Sequence, residues 1–449
     1  MKRIYITEYS VKGIKNLDEW AVLSFYKKTI RKPLDFSKYN VKAIYGINGA
    51  GKSGIIKSVD ILKKLICDPD YLNNRYIQKQ LNDLINKKTK TLEIKTEFLQ
   101  QTETGLTLYH YEIKLEKYYS DKYVITSEKL SCRNALSNSS PLKDLYTAGQ
   151  GILYVYELNH FGEKLIESSK NLLLNASLTA VFTSNPELIR SGDRNDDLWT
   201  GLASTVLFAS DLSVYMEQSD NHSAYYMSEY LDRISELTPA FLSSLSGQME
   251  QLSSRSPKAL TPGEIHVKKE IFNDFEKKVH QLAEFIRIFK NNLVSIDIER
   301  KEDIDCYVCS LIMVYEDYSV NAEFESTGVK KLIRLFDYMD QMVQGKTVFI
   351  DELDSNIHDV YLCALLEYLM ENAEGQLCFT THNIGPMDIL RRNKKSIDFL
   401  SSDHKIYSWK TNGNYSPASL YRNGMIEGSP FNIFSFDFMC AFHSSEDDQ

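Results

Sequence analysis

Residues 46–53 carry the first pattern in this chain that can do chemistry. They read Gly-Ile-Asn-Gly-Ala-Gly-Lys-Ser, which completes the phosphate-loop pattern G-x-x-x-x-G-K-[ST]. An apolar run, Val41 to Tyr45, precedes the loop, and an amphipathic stretch, Ile55 to Ile66, follows it. The motif requires this strand–loop–helix context, because backbone amides and a helix N-terminus then face the phosphate charge.

The loop residues have expected partners on a nucleoside triphosphate. The backbone at Asn48, Gly49 and Gly51 is expected to wrap around the phosphates. Lys52 is expected to reach the β- and γ-phosphates, and the Ser53 hydroxyl is expected to bind Mg²⁺. The loop therefore predicts ATP and Mg²⁺ as cofactors.

Two carboxylates follow a second apolar strand, residues 347–350. Asp351 is expected to hold Mg²⁺ through its water shell, and Glu352 to polarise the water that attacks the γ-phosphate. Two acids after a strand are more often ordinary surface residues. A phosphate loop earlier in the same chain favours the catalytic interpretation.

Two further polar groups stand at the end of a predicted strand or at the start of a predicted helix, where they could contact phosphate. His382 comes directly after the apolar strand Gln376 to Thr380 and is expected to contact the γ-phosphate. Ser326 and Gly328 open a predicted helix, Val329 to Met342, whose N-terminus is a second anion site. The segment 245–248, Leu-Ser-Gly-Gln, is closer in sequence to the signature motif of transporter ATPases than residues 326–328 are. Because it falls inside a region predicted to be helical, we reject it as the signature.

Composition bounds the class of protein. The chain has 449 residues and a formal net charge of −9, which argues against electrostatic coating of nucleic acid but allows a local basic groove. The sequence contains no apolar run long enough to span a bilayer. Its first residues alternate like a strand and lack the apolar core of a secretory signal, so we expect no secretory leader. The seven cysteines are scattered, and Cys306 and Cys309 fall on one predicted strand, where they indicate two unrelated core thiols. We expect a reduced, cytoplasmic protein with no membrane partner.

The pattern of apolar residues divides the chain into three parts. Residues 1–150 are predicted to be mainly strands around the phosphate loop, and residues 151–295 a helical insertion. Residues 296–449 are expected to return to strands and to complete the ATPase head. The clearest helical stripe runs from Ile271 to Leu293 in steps of three and four. The sequence thus predicts an α/β P-loop ATPase head with a helical insertion.

The order of these motifs resembles the ATP-binding-cassette class, in its SMC/RecF/OLD branch. Residues 325–332, Glu-Ser-Thr-Gly-Val-Lys-Lys-Leu, look like the degenerate signature of stand-alone ATPase subunits of phage-defence systems. Residues 351–358, Asp-Glu-Leu-Asp-Ser-Asn-Ile-His, look like their extended acidic motif. Relatives of this kind are PtuA of Septu, AriA of PARIS and retron-linked ATPases. The resemblance implies a dimer or higher oligomer in which Ser326 caps the nucleotide of a second copy. It also implies that Asp354 communicates across that dimer and that a Gln senses Mg²⁺, with Gln100, Gln101 and Gln150 as open candidates.

The resemblance leaves the biological role open between alternatives. OLD proteins continue into a nuclease domain after the His strand, and that nuclease binds metal through a Glu followed by an Asp-x-Asp cluster. Residues 383–449 here contain no convincing cluster of this kind. The first expectation is therefore an ATP-operated sensor and scaffold that controls a separately encoded nuclease or toxic effector in anti-phage defence. A phage protein or DNA is a further candidate partner, and the trigger stays open. The alternatives are a RecF-type ATPase of DNA repair or recombination, and a nucleotide-gated structural protein with slow turnover. A transporter ATPase is disfavoured by the long insertion and the divergent signature.

Overall fold

The computed structural model describes residues 4–31, 34, 36–101, 105–118, 121–136, 141–191, 196–217, 260–393, 395–410 and 415–429. The strands, in chain order, are β1 Ile4–Lys12, β2 Ala21–Ser24, β3 Val41–Gly46, β4 Thr91–Gln101, β5 Leu106–Lys117, β6 Tyr123–Asn134, β7 Lys143–Gly149, β8 Ile152–Val155, β9 Leu212–Tyr215, β10 Ile265–Lys268, β11 Leu293–Glu302, β12 Cys306–Tyr315, β13 Ser319–Asn321, β14 Thr347–Ile350, β15 Gln376–Thr380, β16 Ile397–Leu400 and β17 Ile406–Ser408. The α-helices are α1 Lys52–Cys67, α2 Arg75–Leu84, α3 His160–Ser169, α4 Leu178–Ser184, α5 Pro186–Ser191, α6 Asp197–Asp211, α7 Phe272–Phe289, α8 Thr327–Val343, α9 Asp359–Asn372, α10 Met387–Leu390 and α11 Pro417–Arg422.

A mainly parallel sheet of six strands carries the phosphate loop. Its order is β17-β16-β3-β15-β14-β9, with β17 antiparallel at one edge and the other pairs parallel. Every residue of β3, β14, β15 and β16 is buried, because both faces of the sheet are covered. Alternate side chains enter two different cores. Ile44 and Phe349 pack with α1, whereas Ala43, Val348 and Ile350 pack with α8 and α9.

A seven-stranded antiparallel sheet lies on the α1 side. Its order is β2-β1-β4-β5-β6-β7-β8, and α1, α4 and α6 contribute apolar residues to the core beneath it. A smaller antiparallel sheet, β10-β12-β11 with β13, packs against α7. The molecule is therefore a mixed α/β fold, as the sequence predicts.

Segments far apart in the chain meet in the parallel sheet. The N-terminal strand β3 lies between β15 and β16 from the C-terminal part. The Nζ of Lys42 donates to Asp398 Oδ2 at 2.6 Å in a fully buried ion pair that joins β3 to β16. The side-chain amide of Gln376 binds both the N–H and the carbonyl of Ile6, at 2.9 and 3.0 Å. The predicted joining of the two ends in one sheet is confirmed.

The middle of the chain differs from the prediction. The region 151–295, expected to be a helical insertion, does contain α3–α7. Most of the helical stripe predicted from Ile271 to Leu293 forms α7, but the helix ends at Phe289 and Leu293 begins β11. It also contains β8, β9 and β10, and β9 pairs in parallel with β14 at the edge of the phosphate-loop sheet. Part of this region therefore belongs to the sheet that carries the phosphate loop. The transporter-like segment 245–248 lies outside the described residues.

Candidate nucleotide site

The predicted phosphate loop lies between β3 and the N-terminus of α1. Its backbone turns through left-handed conformations, with φ of 78° at Gly49 and 111° at Gly51. A Cβ on Gly51 would stand 2.7 Å from Leu17 Cδ2 and 2.8 Å from Asn16 Oδ1. This position therefore requires glycine for both conformation and space. Asn48 and Gly49 are exposed at the tip of the loop, where an incoming phosphate can reach them.

Lys52 is folded back onto its own loop. Its Nζ donates to the carbonyls of Gly46 at 2.8 Å and Ile47 at 3.1 Å, and the residue is only 6% exposed. Burial lowers the pKa of Lys52 to about 8, against the opposing pull of the nearby Asp351 and Glu352 carboxylates. The lysine thus lies within electrostatic reach of the acidic motif, as a shared triphosphate site requires.

The carboxyl ends of adjacent parallel strands bring the other predicted residues together. The N–H of Thr381, after β15, donates to the Ile44 carbonyl of β3 at 3.2 Å. The N–H of Leu353, after β14, donates to the Thr380 carbonyl of β15 at 3.1 Å. The loops that carry Lys52, His382 and Asp351 therefore leave the same edge of the sheet.

Thr380 orders the two acids. Its hydroxyl donates to Asp351 Oδ1 at 2.6 Å and accepts from the N–H of Glu352 at 2.8 Å. One threonine thereby fixes the direction of one carboxylate and the backbone of the other. Sequence analysis missed this role, because it depends on the pairing of β14 with β15.

Glu352 adopts an unusual backbone conformation, with φ of 50°. Its side chain is exposed, and its carbonyl accepts from Lys331 Nζ at 2.6 Å. Lys331 comes from α8, is 2% exposed, and also contacts the Ser355 hydroxyl and Glu217 Oε1, the latter at 3.5 Å. A left-handed non-glycine residue held by a buried lysine is a typical sign of a backbone constrained for function.

His382 lies next to this acidic loop. Its backbone N–H donates to Asp354 Oδ2 at 3.4 Å, and its side chain is exposed. Its pKa is lowered by partial burial and then by the charge of Lys52. The imidazole is therefore neutral at pH 7 and able to donate one hydrogen bond to a phosphate oxygen.

Ser326 is the N-cap of α8, as the sequence predicts. Its hydroxyl accepts from the Val329 N–H at 3.4 Å, and the residue is exposed. The preceding Glu325 is buried and accepts from the Tyr315 hydroxyl, and from Lys290 Nζ at 3.4 Å. A Cβ on Gly328 would stand 3.2 Å from the Asn356 carbonyl, so α8 begins close against the loop after β14. The start of α8 is therefore fixed in place with its polar end outward.

The oxygen atoms around the phosphate loop are suitable ligands for Mg²⁺. Ser53 is half-buried at the second position of α1, and Asp351 lies at the end of β14. A hydroxyl and a carboxylate are oxygen ligands, which Mg²⁺ prefers. These two residues would hold the ion.

The three glutamine candidates lie elsewhere. Gln100 and Gln101 are in β4, and Gln150 is in the turn between β7 and β8, all on the seven-stranded sheet. Gln100 is buried and accepts from the Ser204 hydroxyl. Glu217, after β9, instead reaches Ser355 beside the acidic motif, at 3.3 Å from the Ser355 hydroxyl.

No family model matches this chain, and no curated protein matches it. Among solved structures the chain is similar to the recombination mediator protein RecF of the RecFOR pathway, in structures of RecF-ATPrS and RecF-ATP. The first is 11% identical with a TM-score of 0.39 and covers 91% of this chain and 99% of that chain. The second is 11% identical with a TM-score of 0.32 and covers 85% and 94%. Because both TM-scores are low, this likeness establishes neither a shared fold nor a family. None of the described helices combines the length and apolarity needed to cross a bilayer.

Proposed function

We propose that this protein binds Mg²⁺–ATP at the carboxyl edge of its parallel sheet and hydrolyses it. One observation carries the proposal: the phosphate loop, the Asp351–Glu352 pair and His382 leave the same edge of adjacent parallel strands, near enough for their charges to influence one another. These groups together suit a triphosphate with its metal, because the loop and Lys52 supply positive charge and Asp351 supplies a metal ligand.

The residues take distinct roles in this proposal. Lys52 leaves the Gly46 and Ile47 carbonyls and binds the β- and γ-phosphates. Ser53 and Asp351 would hold the Mg²⁺, which would neutralise phosphate charge. Glu352 accepts a proton from the attacking water. His382 donates to the γ-phosphate.

A second copy completes the site in this proposal. The exposed Ser326 and the first amides of α8 form an anion site on the outside of the protomer. Phe324, just before it, is 78% exposed, which suits a surface that becomes covered. Nucleotide would then join two protomers, each capping the phosphate of the other with Ser326.

Mixing two inactive variants tests this arrangement. Lys52→Ala lacks a phosphate-binding lysine but keeps Ser326, whereas Ser326→Arg keeps Lys52 but blocks the cap. If Ser326 acts across a dimer, a 1:1 mixture forms one intact composite site and regains ATPase activity and an ATP-dependent heterodimer. Absence of both recoveries, with each variant folded by circular dichroism, would reject the shared site.

Two biological uses of such an ATPase remain proposals. A RecF-type role in DNA repair or recombination is motivated by the order of motifs, which resembles the SMC/RecF/OLD branch. It requires basic surface for DNA, but Arg392 contacts Glu367 at 2.8 Å and Lys88 contacts Asp18 at 2.9 Å. The anti-phage role, with a separate nuclease or effector as partner, is motivated by the short motifs at 325–332 and 351–358.

One pair of measurements separates these uses. ATP-stimulated DNA binding whose affinity falls steeply with salt supports the RecF-type role. Co-purification with the product of a neighbouring gene, together with protection of cells from phage that Lys52→Ala abolishes, supports the defence role.

A further inference from the structure

We propose that His266, Asp303 and Cys306 form a zinc site on the small antiparallel sheet, separate from the nucleotide site. One ligand atom of each residue lies within 4.8 Å of the other two. Cys306 Sγ lies 3.9 Å from His266 Nδ1 and 3.7 Å from Asp303 Oδ2. The three residues come from β10, from the turn after β11 and from the start of β12.

The separations fit a tetrahedral metal. Zinc bonds of about 2.3 Å to sulfur and about 2.0–2.1 Å to nitrogen or oxygen place neighbouring ligand atoms roughly 3.5 Å apart. The two measured separations exceed that value by a few tenths of an ångström. Side-chain rotation at an exposed site can close such a difference without moving the strands.

The backbone holds the ligands on one face. In the antiparallel pair of β10 and β12, Cys306 lies opposite Lys268 and His266 lies opposite Val308. His266 and Cys306 are therefore diagonal neighbours on the outer face of the sheet. Cys309 is fully buried on the opposite side, with Ile265 as its partner. The sequence predicts two unrelated core thiols; Cys309 is a core thiol, whereas Cys306 is only half-buried and belongs to the proposed site.

The turn pre-orients Asp303. Its N–H donates to the Cys306 carbonyl at 3.0 Å, and its Oδ1 accepts from the Ile304 N–H at 2.8 Å. The other carboxylate oxygen is the one directed at the thiol. An Asp-x-x-Cys turn thus presents two ligands at the spacing that Cys-x-x-Cys turns use in structural zinc sites.

The ligand set selects the metal. A thiolate and an imidazole favour Zn²⁺, whereas Mg²⁺ and Ca²⁺ prefer oxygen ligands only. Three protein ligands with water in the fourth position give a labile site. Bound zinc would tie β10 to the β11–β12 hairpin and so stabilise this sheet.

Zinc titration of the metal-stripped full chain tests the proposal. Calorimetry under a non-chelating reductant is expected to show one Zn²⁺ per chain and a rise in thermal midpoint. Cys306→Ser and His266→Ala should each weaken binding by at least about tenfold, since losing even an outer-shell partner costs about 10–100-fold. Cys363→Ser, a half-exposed thiol on α9, is the matched control and should bind zinc normally.

Lys52→Ala should keep zinc binding, which separates this site from the nucleotide site. Unchanged circular dichroism and ATP affinity would show that the ligand variants are folded. The site would be overturned if the wild type bound no zinc, or if Cys306→Ser and His266→Ala bound zinc as tightly as the wild type.

Discussion

The two large sheets of this protein use their polar residues in opposite ways. In the antiparallel sheet, the fully buried Glu128 accepts from the Tyr111 hydroxyl at 2.9 Å, the Tyr146 hydroxyl at 2.7 Å and the Leu178 N–H at 2.8 Å. All three contacts lie inside the core and join parts of the fold to one another. In the parallel sheet, Asp351 and Glu352 follow the end of β14, where Asp351 is half-buried and Glu352 is exposed.

Strand direction explains the difference. Parallel strands bring all their carboxyl ends to one edge, so residues from distant segments converge there. Antiparallel strands alternate their ends, so a buried polar residue within them must find its partners inside the fold or leave a costly unpaired group. The comparison predicts that the acids at the end of β14 govern turnover and that the buried Glu128 of the antiparallel sheet governs stability.

Glu352→Gln is expected to have the largest effect. Loss of a general base should lower kcat about 10²–10⁴-fold. ATP binding should persist, because the amide keeps the size of the side chain, and ATP-bound dimers should accumulate. Single-turnover hydrolysis and light scattering measure the two effects; wild-type turnover would mean that another group activates the water.

Lys52→Ala should remove most of the affinity for ATP. Charge-assisted hydrogen bonds to phosphate are the strongest contacts in such a site, and losing about 3 kcal/mol of them weakens binding about 100-fold. Binding of a fluorescent ATP analogue measures the change. The free energy of unfolding should change little, and a matching collapse in stability would instead assign Lys52 a structural role.

Glu128→Ala tests the other sheet. It removes the acceptor of two tyrosine hydroxyls and a backbone N–H in the core, which should lower the free energy of unfolding by about 3 kcal/mol. Urea denaturation measures it, with ATP affinity as the second readout. Glu112→Ala is the matched control on the same sheet, since its partners His110 and Lys95 are partly exposed and such pairs contribute about 1 kcal/mol or less.

Local patterns revealed the parts of the site that lie within one segment. The residues 46–53, the acids after residues 347–350 and the N-cap Ser326 each carry their own signal of loop, strand end or helix start. Strand β9 did not, because its four residues lie within a region of helical spacing and are recognised only by pairing with β14. Thr380 and Lys331 were missed for the same reason: their partners are distant in sequence.

Lys331→Met isolates one of these missed residues. The substitution removes the contact to the Glu352 carbonyl, so the general base should lose its fixed position, and small displacements of reacting groups cost up to about 10²-fold. We expect kcat to fall about 10- to 100-fold with KM nearly unchanged. Lys330→Met is the matched control: Lys330 is the adjacent residue on α8, and its Nζ reaches the Glu323 carbonyl at 3.4 Å. Equal loss in both variants would indicate damage to α8 rather than loss of positioning.

The smallest expected effect is a pH dependence of ATP binding. Burial lowers the pKa of Lys52 to about 8 in the unliganded protein, and bound phosphates should raise it again. Binding above pH 8 must therefore take up a proton, so affinity is highest below pH 8 and should fall by up to about tenfold as pH rises to 9. His382 does not contribute over this range, because its pKa is lowered and it stays neutral. Calorimetry in buffers of different ionisation enthalpy measures the proton uptake. If affinity is constant from pH 7 to 9 with no uptake, Lys52 stays charged against the Gly46 and Ile47 carbonyls, and the positive charge of the site is permanent rather than induced by ATP.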